Sequence, residues 1–287
     1  MRWSTAVLPA LVLVGCAAGP RPAQTAAPAR PAAQSPAELV RIAGAYNDQG
    51  ESRKALALLE RALDQEPGLA MGWYQRGLAL SRLERIEQAI AALERAQRLD
   101  PAHADTALLL GMAYDLQRRN ADALRVYRAA LEQHPEHAEL LHEYGLSLLM
   151  AEQVPAAVAA LERARRVQPG DADLLGDLGY AYLLAGQAEQ ARAALRRSLE
   201  RRPRAPQVVF NLARAQLACG DVAGARAALE RLVELVPQQA QPHYHLGVVL
   251  ERLGELGAAR AAVERAIELD PDLAPARRWL EAHPAQP

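Results

Sequence analysis

A proline recurs every 34 residues along most of this 287-residue chain. The seven prolines are Pro67, Pro101, Pro135, Pro169, Pro203, Pro237 and Pro271, and an alanine stands twelve residues before each one. Since proline lacks a backbone N–H and disfavours helical geometry in the residue before it, each one predicts the end of a helix. A fixed period of about 20 to 50 residues indicates one supersecondary unit stacked on copies of itself. The sequence therefore predicts a repeat protein.

The repeat divides residues 36–273 into seven units without an insertion when each proline is placed at position 32. The units are 36–69, 70–103, 104–137, 138–171, 172–205, 206–239 and 240–273. Position 8 is glycine or alanine and position 20 is alanine in every unit, which predicts two helices that cross closely. Position 24 is large and apolar and lies on the same helical face as position 20, so we expect it to fill the space that the alanine leaves.

Position 15 falls in the predicted turn between the two helices. Four units have glycine there, which adopts a left-handed backbone without strain: Gly50, Gly186, Gly220 and Gly254. The second, third and fourth units have Glu84, Arg118 and Glu152 instead. We expect the turns of these three units to be tighter or less regular.

These columns resemble the tetratricopeptide repeat (TPR) signature, which favours an aromatic residue at position 4, Gly at position 8, Ala at positions 20 and 27 and Pro at position 32. Trp73, Gly77, Ala89, Ala96 and Pro101 fit it best within one unit. The resemblance implies an all-α fold, a right-handed superhelical α-solenoid of seven helix-turn-helix units. The amphipathic segment 274–282 predicts a capping helix, followed by a short tail to residue 287. An irregular helical bundle is the alternative, and the regular columns disfavour it.

The first fifteen residues have the pattern of a signal peptide. Arg2 is the only charged residue, and the apolar run at residues 6–14 is too short to span a bilayer as a helix. The run ends in Leu-Val-Gly-Cys, which resembles the lipobox of bacterial lipoproteins and implies cleavage before Cys16 and lipidation of Cys16, with palmitate among its acyl chains. The alternatives are an ordinary secretory signal that is cleaved nearby and a buried cysteine in an apolar segment.

Residues 16–35 are predicted to form the lipidated cysteine and a tether rich in alanine and proline. Such a composition does not pack a core and favours an extended polyproline II conformation. Ala17 follows the cysteine, whereas many lipoproteins retained at the inner membrane have aspartate there. The resemblance to bacterial lipoproteins therefore implies a lipid anchor at the periplasmic face of the outer membrane, where several acyl chains hold stably.

The sequence contains none of the common catalytic or cofactor motifs: Gly-x-Gly-x-x-Gly, the P-loop, Gly-x-Ser-x-Gly or His-Glu-x-x-His. It has only six serines, and its formal net charge of −1 gives no reason to expect nucleic acid. We predict that the protein is not an enzyme, and we expect no cofactor, nucleic acid or small-molecule substrate.

Two features leave alternatives open. One is a metal-like spacing of His134, His137, Glu139 and His142. Because two of these histidines flank a turn proline while His142 lies on a helix, we favour solvated histidines and predict no metal site. The other is Cys219, the only free thiol once Cys16 is acylated. It is either a small filler at the end of a first helix or a partner in an intermolecular disulfide.

Positions 2, 5, 9 and 12 of the first helix share one face, which lines a concave surface in TPR proteins. These positions are largely apolar in units three to six and are edged by Asp105, Glu139 and Asp173. We predict a groove for a protein or peptide partner formed by Tyr74, Leu108, Met112, His142, Leu146, Tyr180, Leu183, Phe210, Asn211, Arg214 and Tyr244. The alternative is that these side chains pack between neighbouring first helices. No unit has the Lys and Asn pair at positions 5 and 9 with which some TPR domains hold a C-terminal carboxylate.

The signal, tether and repeats together predict a non-enzymatic interaction scaffold anchored to the outer membrane. This layout resembles the TPR lipoprotein of the tight-adherence (Flp) pilus system and the type IV pilus pilotins. That resemblance implies an assembly factor for a pilus or secretion apparatus. The alternative function is an adaptor that recruits or regulates peptidoglycan enzymes.

Overall fold

The computed structural model describes residues 34–284, which form fifteen α-helices. They are α1 (Pro36–Asp48), α2 (Ser52–Gln65), α3 (Ala70–Arg82), α4 (Ile86–Leu99), α5 (Ala104–Leu116), α6 (Asn120–Gln133), α7 (Ala138–Met150), α8 (Val154–Val167), α9 (Ala172–Leu184), α10 (Ala188–Arg201), α11 (Pro206–Ala218), α12 (Val222–Leu235), α13 (Ala240–Arg252), α14 (Leu256–Leu269) and α15 (Ala274–Ala282). The predicted signal peptide, Cys16 and most of the tether lie outside the described residues.

The helices follow the 34-residue period without a shift. In every unit a first helix of 13 residues is followed by a second helix of 14 residues. Residues 34–284 contain no strand, so the predicted all-α array of helix pairs is confirmed. No helix in this part of the chain has the length and apolar character needed to cross a membrane.

The two helices of a unit approach most closely at position 8. Five units have glycine there, and a Cβ atom added to it would collide with the position-24 side chain of the second helix. At Gly111 the added atom would lie 2.3 Å from the ring of Tyr127, and at Gly77 it would lie 2.4 Å from Leu93. The large side chain at position 24 therefore sits directly over the glycine, while the alanine at position 20 is fully buried beside it.

Successive units stack mainly through the second helix of one unit and the first helix of the next, and most neighbouring first helices also touch. Direct contacts join α1 to α3, α3 to α5, α5 to α7, α7 to α9 and α9 to α11, whereas within residues 34–284 successive second helices make at most slight contacts with each other. First helices that pack side by side line the inner face of such an array. The predicted groove residues lie on these helices.

Three arginines connect neighbouring units on the second-helix side. Arg163, Arg197 and Arg231 occupy position 26, and each donates a hydrogen bond to the carbonyl oxygen of the repeat proline in the preceding unit. The acceptors are Pro135, Pro169 and Pro203. These bonds tie unit three to four, four to five and five to six.

The turns of the second, third and fourth units correct our expectation. Glu84, Arg118 and Glu152 have φ values of 57° to 59°, so they adopt the same left-handed conformation as the four glycines. The hydrogen bonds are also the same: for example, Arg85 N donates to Leu80 O at 2.9 Å, as Glu51 N does to Tyr46 O at 2.8 Å. The turn is regular because the helix-capping hydrogen bonds and the packing of the second helix outweigh the strain of a side chain at positive φ.

Replacing Glu84 by glycine is expected to stabilise the protein by about 0.5 to 1 kcal/mol, since glycine has no Cβ to strain at φ of 59°. Chemical denaturation measures this gain. Glu87→Gly, within α4, is the matched control and should destabilise by a similar amount because glycine is unfavourable inside a helix. Equal losses for both variants would show that position 15 is not strained.

Helix α15 covers the end of the array, as predicted. Trp279 is 8% exposed and packs in a cluster with Leu250 and Val263 of the last unit. Its Nε1 donates a hydrogen bond to Glu251 Oε2 at 2.6 Å, and its ring stacks on His283. The apolar face of the seventh unit is thereby shielded from solvent.

Candidate functional site

The surface of the first helices holds the eleven predicted groove residues, ten of which are at least partly exposed. Five of them pack against the buried core clusters: Tyr74, Leu108, Leu183, Phe210 and Tyr244. Tyr74 also meets His103 edge-on at a centroid distance of 4.9 Å, and Phe210 contacts His245 at 5.0 Å. Tyr74 thereby contacts the N-cap residue of α5 and Phe210 contacts α13, which is the packing role that the alternative gives them.

Other predicted residues project from that surface. Met112 is 39% exposed, while Leu146 and Tyr180 are partly exposed and belong to no core cluster. Arg214 is exposed, and it donates a hydrogen bond to Asn211, which is 4% exposed and so offers little surface to a partner. The exposed apolar residues at position 9 therefore form the accessible part of the predicted groove.

Position 13 extends this apolar surface, although it was not among the predicted groove positions. It holds Leu116, Met150 and Leu184 in units three to five, with exposed fractions of 71%, 52% and 43%. Position 13 lies one helical turn beyond position 9, on the same face, so the helical period that selected position 9 could have identified it. We use the name central patch for Met112, Leu116, Leu146, Met150, Tyr180 and Leu184.

The helices that carry the central patch are acidic. Together α5, α7 and α9 contain six carboxylates and no lysine or arginine: Asp105, Asp115, Glu139, Glu143, Asp173 and Asp177. Asp173 pairs with Arg202 of the next turn, and Asp177 pairs with His142. The other four form no salt bridge with any residue of the described range 34–284.

Two of these carboxylates are held in unfavourable surroundings. Burial raises the pKa of Glu143, and the charges of Asp115, Asp177 and Glu139 raise it further, although His142 acts in the opposite direction. Burial also raises the pKa of Asp115, which a hydrogen bond from Ser147 Oγ at 3.0 Å partly offsets. The ionised forms of both groups therefore cost stability at neutral pH.

His142 pairs with a third carboxylate, its Nε2 lying 2.8 Å from Asp177 Oδ2. Burial lowers the pKa of His142, but the hydrogen bond and charge of Asp177, with the charges of Glu143 and Asp171, outweigh burial, so the net pKa is raised. A raised pKa in the folded state contributes stability at pH values below the unfolded pKa of about 6.5. This contribution is lost as the pH rises through the folded value.

Asp177→Asn is therefore expected to lower the free energy of unfolding by about 0.5 to 1 kcal/mol below pH 6, because the pair is partly exposed. The difference from the unmodified protein should shrink towards zero above about pH 8, where the histidine is neutral. Denaturation at several pH values measures it, and Asp105→Asn is the control because Asp105 forms no described salt bridge. A loss that stays constant with pH would contradict the ion pair.

The histidines with metal-like spacing have separate partners. His134 Nε2 lies 2.7 Å from Ala102 O, and His137 Nδ1 accepts a hydrogen bond from Leu140 N at the start of α7. His142 is paired with Asp177, and no group of three or more possible ligands occurs among the described residues. Cys219 is a half-buried free thiol at the end of α11, where burial and Glu189 raise its pKa and so reduce its thiolate fraction.

Solved structures share this fold. The C-terminal part of a TPR repeat-containing protein from Cytophaga hutchinsonii is 19% identical, with a TM-score of 0.65 over 84% of this chain and 99% of that one. PilF from Pseudomonas aeruginosa is 20% identical, with a TM-score of 0.63 over 74% and 97%. The structure of the anaphase-promoting complex hetero-tetramer Cut9–Hcn1 matches at 17% identity and a TM-score of 0.62, over 86% of this chain. This chain covers about half (48%) of the matched Cut9–Hcn1 chain.

Family models match most of the helical array. The tetratricopeptide repeat model matches residues 145–206, 177–240 and 210–274, and the model of the N-terminal TPR repeats region of Psidin matches residues 45–153. No curated protein sequence matches the chain significantly. The two TPR models meet without a gap over the helix pairs described above, and the chain therefore belongs to the tetratricopeptide repeat family.

Proposed function

We propose that this protein is a scaffold that holds a protein or peptide partner on the surface of its first helices. TPR arrays are interaction scaffolds, and exposed apolar patches on such proteins serve as binding surfaces. The observation that carries the proposal is the central patch, in which apolar side chains up to 71% exposed lie together on three adjacent helices.

A crosslinking pull-down from membranes tests this role. Met112→Ala with Tyr180→Ala should reduce capture of the partner at least tenfold while helicity is retained, since neither side chain belongs to a core cluster. Met71→Ala with Leu256→Ala is the matched control, because these side chains are also exposed but lie outside the central patch. Equal capture by both double variants would contradict a role for this surface.

The proposed location is the periplasmic face of the outer membrane, through lipidated Cys16. The apolar run, the Leu-Val-Gly-Cys sequence and the following alanine support this location. Cys16→Ser should release the protein from the membrane fraction and abolish labelling by a palmitate analogue. Membrane retention of this variant would exclude the lipid anchor.

The proposed process is the assembly of a pilus or secretion apparatus. It is supported by the order of signal, tether and repeats, which resembles that of TPR lipoproteins in pilus biogenesis. Deletion of the gene should abolish surface pili and leave pilin levels intact. Normal piliation with altered cell-wall hydrolysis would instead favour the peptidoglycan adaptor.

A further inference from the structure

The central patch is confined to the middle of the array. Positions 9 and 13 of the outer units hold small or charged residues at most sites, including Asp48, Arg82, Arg214 and Arg252. Solubility and helix packing apply equally to all seven units, so neither explains why exposed apolar residues at positions 9 and 13 are concentrated in units three to five. The patch thus has the form of one bounded docking surface.

Charge on the same helices indicates what covers this surface. Carboxylates in the first turn, such as Asp105 and Glu139, are explained by the helix dipole alone. Glu143 and Asp177 lie in the middle of their helices, and Asp115 lies near the negative end of α5, so the dipole does not favour them. Burial of Glu143 and Asp115 costs stability in the free protein, and a cationic occupant would remove that cost.

The first-turn carboxylates at position 2 are separated along the helices from the apolar residues at position 9, whereas Asp115 lies at position 12, next to Leu116. From position 2 to position 9 the rise is about 10 Å, which is close to the diameter of one α-helix with its side chains. Adjacent helix axes lie about 8 to 10 Å apart, so three of them provide a surface about 20 to 30 Å long. That length corresponds to about 13 to 20 residues of a bound helix.

We propose that the occupant of the central patch is a cationic amphipathic helix of a partner protein, with its apolar face on the patch and its lysines or arginines facing the carboxylates of α5, α7 and α9. This inference rests on the proposed scaffold function and specifies the partner's chemistry. A helix laid into an apolar groove is an established mode of peptide recognition. A second copy of the same surface, or an anionic lipid surface, would bring like charges together.

Binding of synthetic helical peptides to the full chain tests the charge. The probe is a labelled 18-residue leucine–lysine amphipathic peptide, compared with its leucine–glutamate counterpart and with a lysine peptide of scrambled sequence. We expect the cationic amphipathic peptide to bind at least tenfold more tightly than either comparison peptide. Its affinity should fall as salt rises from about 0.05 to 0.3 M, because the screening length shortens.

Variants locate the site. Leu116→Asn with Met150→Asn should weaken binding of the cationic peptide at least tenfold, and Glu143→Gln with Asp115→Asn about five- to tenfold. The second pair should also unfold at higher temperature, which a merely structural role for these carboxylates would not produce. Met71→Asn with Leu256→Asn, exposed residues outside the patch, should bind like the unmodified protein.

Several outcomes would overturn the inference. Tighter binding of the acidic peptide, or equal affinity for all three peptides, would rule out a cationic partner. Conversion of a dimer to a monomer by the Leu116 and Met150 substitutions would identify a second copy as the occupant. If a native partner is still captured through Met112 and Tyr180 in these cases, the scaffold function stands and only the proposed chemistry of the partner fails.

Discussion

Gly111→Ala is expected to lower the free energy of unfolding by about 2 to 3 kcal/mol, because the added Cβ would lie 2.3 Å from the buried ring of Tyr127. The ring belongs to a fully buried side chain and has no room to retreat. The loss should appear as a lower denaturation midpoint, and hydrogen exchange should locate it in α5 and α6. Among single changes to the first helices, we expect this to be one of the most damaging.

Two further variants make the test specific. Gly257→Ala is the control, because nothing lies within 4 Å of a Cβ added there and alanine is the better helix former. Adding Tyr127→Leu to Gly111→Ala should recover part of the loss, since the first unit combines Ala43 with Leu59 at these positions. If Gly111→Ala were as harmless as Gly257→Ala, close approach at position 8 would not constrain the fold.

Trp279→Ala is expected to cost about 3 kcal/mol and to expose the end of the array. The substitution removes a nearly buried ring from the last core cluster and leaves Glu251 without the indole N–H. Because repeat arrays need a solvated terminal cap, the variant should also aggregate more readily. Thermal unfolding and light scattering measure the two effects.

The neighbouring Arg278→Ala serves as the control for this experiment, since Arg278 is exposed on the same helix. The stability of Trp279→Phe should lie between those of Trp279→Ala and Arg278→Ala, because phenylalanine keeps most of the packing but loses the hydrogen bond to Glu251. Unchanged stability of Trp279→Ala would mean that α15 is dispensable.

The fold could be predicted from the sequence because each helix end and each close contact has its own residue type. Proline ends the second helices, and the small residues at positions 8 and 20 mark where helices cross. The turns of units two to four were predicted wrongly, because glycine at position 15 is sufficient for a left-handed turn and not required. The capping hydrogen bonds hold Glu84 in the same geometry.

The candidate site could be predicted only in part. Helical periodicity identifies the face that holds both Phe210 and Tyr180, but it does not distinguish a side chain that packs from one that projects. That distinction depends on the neighbouring helix: Phe210 meets His245, whereas Tyr180 belongs to no core cluster. The predicted face, positions 2, 5, 9 and 12, does not include position 13, which is the last residue of each first helix.

The arginine bonds to the repeat prolines have a mechanical consequence. Arg163, Arg197 and Arg231 bridge three consecutive junctions, and the first two of these junctions join the three units that carry the central patch. Bending the array there would stretch these bonds on one side while it altered the spacing of α5, α7 and α9 on the other. We expect these bonds to resist bending across units three to six. A partner would then meet a surface of fixed spacing, and little of its binding free energy would be spent on straightening the scaffold.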